Sequence, residues 1–342
     1  MSHKPQLDEL IRPTVLGPAL ARATGDDRWV SFDASLISGG KSNLTFLIRS
    51  EAGELVLRRP PTGKLLPSAH DMGREAKVQR ALADSAVPVA KIVLSDDGDL
   101  LGLPCYVMER VPGHIIRGEL PAGYADDAAG RQAMSWAFAD VLADLHAVDY
   151  EAVGLGDYGR PAGFLERQVR RWTGQWEASR THEVADVDEL ARRLATAIPP
   201  QQRNSIAHGD YRFDNVVFAP ESPGRIGAVL DWELSTLGDP LADLGLLMLF
   251  WAEPGEQFPA LIPGVTNQEG FPTRAQMLER YATRSGVDLS DLNPYIAFAH
   301  FKFAVIAQGV VARSAAGAMG GQDFGNLDEE IRNLAATGLT YL

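Results

Sequence analysis

Cysteine is nearly absent from this 342-residue chain. Cys105 is the single one, so an intramolecular disulfide is excluded, and its neighbours Leu103, Pro104, Tyr106 and Val107 point to a buried thiol and not a nucleophile. A reducing compartment is expected. Basic residues are in the minority, 32 Lys and Arg against 45 Asp and Glu for a net charge of −13. A nucleic-acid partner needs a basic footprint to neutralise phosphates, and none is expected here. The opening Met1-Ser2-His3-Lys4-Pro5-Gln6-Leu7-Asp8 lacks the apolar run of a signal peptide, which makes the cytoplasm the default expectation. The most apolar long segment, Tyr295 to Ala312, carries His300, Lys302 and Gln308 and reads as a buried core helix, so no membrane partner is expected. Also missing are G-x-S-x-G, H-E-x-x-H and C-x-x-C, which leaves esterase, zinc-hydrolase and dithiol chemistry without a candidate.

What is present is enough apolar material, 45% of the residues, for two lobes. A single core stops growing near about 250 to 300 residues. Three regions can be read. Residues 1–28 form a helical arm broken near Pro13; residues 29–111 hold short alternating β-rich runs at Trp29 to Ile37, Leu44 to Arg49, Leu55 to Arg59, Lys91 to Leu94 and Cys105 to Glu109; residues 112–342 are mainly helical. Arg110-Val111-Pro112-Gly113, an apolar strand running into breakers, marks a hinge.

The chemistry concentrates between Ser205 and Asp243. The polar turn His208-Gly209-Asp210-Tyr211-Arg212-Phe213-Asp214-Asn215 opens into Val216-Val217-Phe218, and a second apolar run, Ile226 to Leu230, delivers Asp231. Pro220 to Gly224 reads as the loop of a hairpin, which would bring Asn215 and Asp231 together with Asp210 nearby. Oxygen-bearing side chains of this kind suit magnesium, which takes one or two carboxylates and completes its shell from substrate phosphates. In protein kinases the motif H-R-D-x-x-x-x-N uses its Asp to accept the proton of the attacking hydroxyl and its Asn, with a later Asp, to hold the metal. Asp210, Asn215 and Asp231 keep that order.

H-G-D-x-x-x-x-N followed by L-D-W-E and G-D-P-x-x-D resembles the aminoglycoside phosphotransferase family of kinase-like enzymes. The wording from Leu230 to Pro240 is similar to the branch related to kinase-like domains fused to acyl-CoA dehydrogenases. The resemblance covers roughly residues 30 to 315. It implies an α+β, bilobal protein-kinase-like fold, with a small antiparallel β-sheet N-lobe binding nucleotide and a mainly helical C-lobe holding catalysis and acceptor. It implies ATP or GTP as phosphoryl donor, Mg2+ as cofactor, a small-molecule hydroxyl as acceptor, Asp210 as catalytic residue, and Asn215 with Asp231 as metal ligands.

The remaining site candidates come partly from the residues themselves and partly from the same resemblance. In Ser38-Gly39-Gly40-Lys41-Ser42-Asn43, adjacent glycines let backbone N–H groups face phosphates, making Gly39, Gly40, Ser42 and Asn43 candidates for contact; an ordinary hairpin turn is the competing reading. Period two puts Val56 and Arg58 on one face, matching the kinase strand whose small residue lies under adenine and whose Lys pairs with phosphates. Arginine at 58 keeps the charge with a different geometry, and a solvated strand residue is the alternative. Glu75, on a helix expected over Ser68 to Asp84, resembles the carboxylate that clamps that cation, against the bland reading of a solvated Glu. The main chain of Glu109 to Val111 would hold the adenine edge. His208 and Asp243 resemble structural supports of the catalytic loop, Asp239-Pro240 reads as a helix cap, and His146 as a packed or capping histidine. Glu233 is either near the metal or on the surface. Arg167, Arg170 and Arg171 are a solvated face or an anion contact. The acceptor stays open between a hydroxyacyl-type metabolite and a polycationic aminoglycoside, and a nucleotide-binding pseudokinase is the alternative of another class. Oligomeric state is not legible.

Overall fold

Strand β3 (Gly53–Arg59) is buried on both faces, and this explains how the first part of the chain is built. In the computed structural model, which describes residues 4–37, 43–61, 71–315 and 326–342, β3 is central in an antiparallel five-stranded sheet. The others are β1 (Asp33–Leu36), β2 (Leu44–Ser50), β4 (Ile92–Asp96) and β5 (Cys105–Glu109), in the spatial order β1-β2-β3-β5-β4. Alternation sends Phe46, Ile48, Leu55, Leu57, Cys105 and Val107 to one side, where they pack with Ile11, Leu16 and Leu20 of helices α1 (Lys4–Ile11) and α2 (Pro13–Thr24). Leu47, Val56, Tyr106 and Met108 face the other way, against Met72 and Ala76 of α3 (Met72–Leu82). The helical arm before residue 29 therefore shares the core of the sheet.

The run Trp29 to Ile37 becomes a strand only from Asp33 onward. The Asp26 carboxylate accepts the Arg28 N–H at 3.1 Å and caps a 3-10 turn over Asp27–Trp29, so local capping wins over alternation there. Helix α3 begins at Met72 with Asp71 as its cap, and residues 68–70 of the expected helix lie outside the described residues. So do Gly317 to Gly321, read as a glycine-rich break.

The chain divides into two compact units, Met1–Pro112 with Gly227–Glu233, and Gly113–Ile226 with Leu234–Leu342. The second unit is mainly helical: α4 (Ala128–Ala147), α5 (Phe164–Ser179), α6 (Ala185–Leu194), α7 (Pro240–Phe250), α8 (Arg274–Ser285), α9 (Asn293–Ala315) and α10 (Leu327–Leu339). Helix α9 is long and apolar enough to cross a membrane by length and composition, but 72% of its apolar window is buried inside the protein, which makes it a core helix. Asp239 accepts the Leu241 N–H at 2.9 Å ahead of Pro240, the cap expected for α7.

Short strands frame the polar turn. They are β6 (Ser205–Ala207), β7 (Val216–Phe218), β8 (Ile226–Val229) and β9 (Thr236–Gly238). β6 pairs antiparallel with β9, and β7 exchanges backbone bonds with His114 at 2.8 and 2.9 Å. The apolar runs on either side of Pro220 to Gly224 are both strands, but from Gly227 the chain belongs to the first unit. There the Val229 N–H donates to the Pro88 carbonyl at 2.8 Å. Asp231 is thus a residue of the first unit, whereas Asp210 and Asn215 belong to the second.

Candidate active site

The polar turn of the second unit is held from beneath by one buried carboxylate. Gly209 adopts φ +81°, and a Cβ there would meet the Leu234 carbonyl oxygen at 2.8 Å, so the turn requires glycine. The backbone N–H groups of His208 and Gly209 each donate to Asp243 at 2.7 Å, to Oδ2 and Oδ1 respectively. Asp243 lies in the first turn of α7 and is fully buried. Burial disfavours its charge, but the bond to His146 Nε2 at 3.1 Å, the nearby His208 and the Gly209 N–H together hold its pKa below the usual carboxylate value. His146 is packed as expected, with Nδ1 2.7 Å from the Tyr281 hydroxyl.

Asn215 closes the turn from its far end. Its Nδ2 donates to both the backbone oxygen and Oδ2 of Asp210, each at 2.8 Å, so the amide oxygen is the atom left for a hard cation. Arg212 Nε stands 3.2 Å from Asp210 Oδ2 and 3.2 Å from Asp214 Oδ1. Lys302, from α9, donates to the Gly209 carbonyl at 3.2 Å, with its ammonium 5.8 Å from the centre of the Trp172 ring. Burial lowers the Lys302 pKa, against the pull of Asp210 and Asp243, with Arg171 adding to the lowering.

In the first unit, Arg58 sits between two carboxylates: Nη2 is 3.0 Å from Asp231 Oδ1, and Nη1 is 3.4 Å from Glu75 Oε2. The solvated readings of Arg58 and Glu75 are both excluded, since their side chains are 11% and 1% exposed. Glu75 also accepts from the Tyr106 hydroxyl at 2.9 Å and from Asn43 Nδ2 at 3.1 Å. Burial still pushes its pKa up to about 7, with Arg58 and Tyr106 pulling the other way. Asn43 Nδ2 lies 3.3 Å from Glu233 Oε2, which ties Glu233 into the same network. Asp231 has φ +61°, the left-handed region that costs a non-glycine residue about 1 to 3 kcal/mol and tends to mark working positions. Val56 is buried beside Met108, and Val111 packs half-buried against the same cluster. Glu109 is exposed, and its N–H is taken by the Lys91 carbonyl at 2.9 Å. Gly39, Gly40 and Ser42 lie outside the described residues.

No three His, Cys, Asp or Glu side chains among the described residues gather as a metal cage. Asn215 in the second unit and Asp231 in the first each present an oxygen donor of their own. Magnesium keeps waters and phosphate oxygens and needs few protein ligands, and the donors present are of the hard, oxygen type it takes.

The sequence pattern of the Phosphotransferase enzyme family (APH) matches residues 33–280, which take in the sheet, the polar turn and Asp231. The chain belongs to this phosphotransferase family. Acyl-CoA dehydrogenase family member 10 of Mus musculus is 37% identical over 322 residues, 92% of this chain and 29% of its own length. Acyl-CoA dehydrogenase family member 11 of Rattus norvegicus is 37% identical over 321 residues, 92% of this chain and 41% of its own length. The chain therefore spans well under half of these relatives. A crystal structure from Ralstonia eutropha, provisionally assigned as an aminoglycoside phosphotransferase, is 34% identical with a TM-score of 0.78, over 91% of this chain and 92% of that one. The α+β kinase-like fold class is that of the family.

Three side chains of this phosphotransferase escaped the sequence reading. Tyr106 was visible only as an apolar strand residue, although its hydroxyl binds Glu75. Arg212 had no assigned role. Lys302 did leave a signal, a lone cation in an otherwise apolar helix, which costs free energy unless it has partners. Arg167, read as a possible anion contact, instead donates to the Ala162 and Arg160 carbonyls, and Arg170 pairs with Glu166 at 2.7 Å.

Proposed function

We propose that this phosphotransferase moves the γ-phosphoryl group of ATP or GTP to a hydroxyl of a small anionic metabolite of hydroxyacyl type, in the cytoplasm. The observation that carries the reading is the Asp210–Asn215 contact: one amide points its N–H at a carboxylate and leaves its oxygen for a cation. In this reading Asn215 and Asp231 hold Mg2+, which supplies charge neutralisation on the phosphates. Asp210 orients and deprotonates the acceptor hydroxyl, Arg58 with Glu75 orients phosphates, and Gly39, Gly40, Ser42, Asn43, Val56 and the Glu109 to Val111 main chain line the nucleotide. His208 and Asp243 support the turn. Phosphoryl transfer depends on position and charge, and each of these residues supplies one or the other.

Two observations support the acceptor class, the first being the cations near Asp210. Lys302 interacts electrostatically with Asp210, with Arg171 beside it, and Arg212 is in contact. Arg212 and Lys302 place cations beside Asp210, which supports an anionic acceptor over a polycation, although Asp214 and Asp243 share those charges. The similarity to acyl-CoA dehydrogenase family members points the same way by analogy.

ATP and GTP consumption with magnesium, against a panel of hydroxyacyl-CoAs, aminoglycosides and amino alcohols, tests the reading. Consumption dependent on a hydroxyacyl-CoA supports it, and dependence on an aminoglycoside alone overturns the acceptor class. Tight nucleotide binding without turnover on any acceptor would favour a nucleotide-binding regulatory module. The observation on that side is that Arg58 engages Asp231, the carboxylate a metal would need.

A further inference from the structure

We infer that Arg212 is a positioning residue that, with Asn215, fixes the rotation of the Asp210 carboxylate so that Oδ1 is the oxygen presented to the acceptor hydroxyl. The inference rests on the reading of Asp210 as the residue facing the acceptor hydroxyl. Oδ2 accepts two N–H groups, from Asn215 Nδ2 at 2.8 Å and from Arg212 Nε at 3.2 Å. A carboxylate oxygen offers about two lone-pair sites, so Oδ2 is saturated and could hold a proton only by giving up one of these bonds. Oδ1 accepts nothing among the described residues, and the Asp210 side chain is 24% exposed, enough for a small molecule to reach it.

Arg212 is itself held on two sides. Its Nε is shared with Asp214 Oδ1 at 3.2 Å, and its guanidinium lies 5.9 Å from the centre of the Phe250 ring of α7. Asp214 is 12% exposed, so this second anchor has little room to move. The other charged groups facing this pair are Lys302 of α9 towards Asp210 and Arg117 towards Asp214, while Asp243 of α7 acts on Lys302 and holds the neighbouring Gly209 N–H. None of them donates to Asp210 Oδ2, so the two-donor arrangement belongs to Asn215 and Arg212 alone among the described residues.

The consequence for the transfer is specific. As the acceptor oxygen forms its bond to the terminal phosphorus, its proton passes to Oδ1. The bond from that phosphorus to the bridging oxygen breaks, and its electron pair leaves on the nucleoside diphosphate. The proton then goes from Oδ1 to solvent. Without Arg212 the carboxylate is held by the Asn215 amide only and can rotate about its last bond, exchanging the two oxygens.

Wild type, Asp210→Asn, Arg212→Met and Arg212→Lys are compared in the same acceptor-dependent assay. The expected result is a fall in kcat of roughly 10- to 100-fold for Arg212→Met, with nucleotide affinity and acceptor KM held within about twofold. Arg212→Lys should regain part of the loss, and guanidinium chloride well below denaturing concentrations should rescue Arg212→Met but not Asp210→Asn. An unchanged kcat, or a loss shared with nucleotide affinity and insensitive to guanidinium, overturns the inference. If wild type and Asp210→Asn turn over equally little on every acceptor, the proposed function has failed. Arg212 is then judged by a crystal structure of Arg212→Met, in which a rotated Asp210 carboxylate supports the positioning role and an unmoved one overturns it.

Discussion

Arg58 Nη2 lies 3.0 Å from Asp231 Oδ1, which joins a β3 side chain to a residue 173 positions later through one charge-assisted hydrogen bond. The same guanidinium reaches Glu75, and its Nε is buried without a partner among the described residues. Arg58 is a single cation serving two carboxylates, and its geometry is only partly satisfied.

Arg58→Met should therefore destabilise the fold by about 3 kcal/mol, because removing one member of a buried pair leaves the other uncompensated. The loss should be larger at pH 8 than at pH 5, since the stranded Glu75 is neutral at the lower pH. Urea denaturation at the two pH values measures it, and an equal loss at both would mean that Glu75 does not feel Arg58. Nucleotide affinity should fall as well, with Arg58→Lys intermediate.

Glu75 provides a pH signature. Burial holds its folded pKa up at about 7, against an ordinary value of 4.5. Between those values the folded state keeps a proton that the unfolded chain has released, so this group makes stability fall as pH rises through the window and level off above it. Glu75→Gln should remove that slope, and its stability relative to wild type should rise by up to about 3 kcal/mol from pH 4.5 to pH 7. Parallel stability curves for the two proteins would contradict it.

Asp243 has the opposite sign, since its folded pKa is depressed. Its contribution is complete above the ordinary carboxylate value of 3.8 and is lost as pH falls below it. Asp243→Asn substitutes an amide for the acceptor of the His208 and Gly209 N–H groups and the His146 ring. A loss of about 2 to 4 kcal/mol in stability and a fall in kcat are expected, with nucleotide affinity, proposed to rest mainly on first-unit residues, changed less than kcat. Isothermal titration with a nucleotide analogue beside turnover assays separates these effects.

Asp210→Asn and Asp231→Asn should both abolish turnover for different reasons. In the proposed function the first would remove the base and keep metal–nucleotide binding, and the second would remove a metal ligand and weaken it. Manganese binding followed by electron paramagnetic resonance distinguishes them, and full turnover in either variant would refute the role given to that residue.

Local chemistry was readable directly. Asp239-Pro240 announces the start of α7, Asn215 falls five residues after Asp210, and alternation in Leu55-Val56-Leu57-Arg58 puts Val56 and Arg58 on one face. Strands of three residues such as β6 and β9 were not readable, because they are too short to show a period. The shared core of the helical arm and the sheet was also hidden. An apolar face in a strand says that something covers it and not what does.

By itself the sequence determined the family, the order of the acidic and amide residues that phosphoryl transfer needs, and which turns and caps form, since these depend on residue type and short spacing. Only the tertiary structure decided that Arg58 is shared between Glu75 and Asp231, that Lys302 reaches the Gly209 carbonyl from 93 residues away, and that Arg212 joins Asn215 on one oxygen of Asp210. Hydrogen bonds and charge pairs act over a few ångströms in space, and the folded path of the chain, not its local pattern, brings those atoms within range.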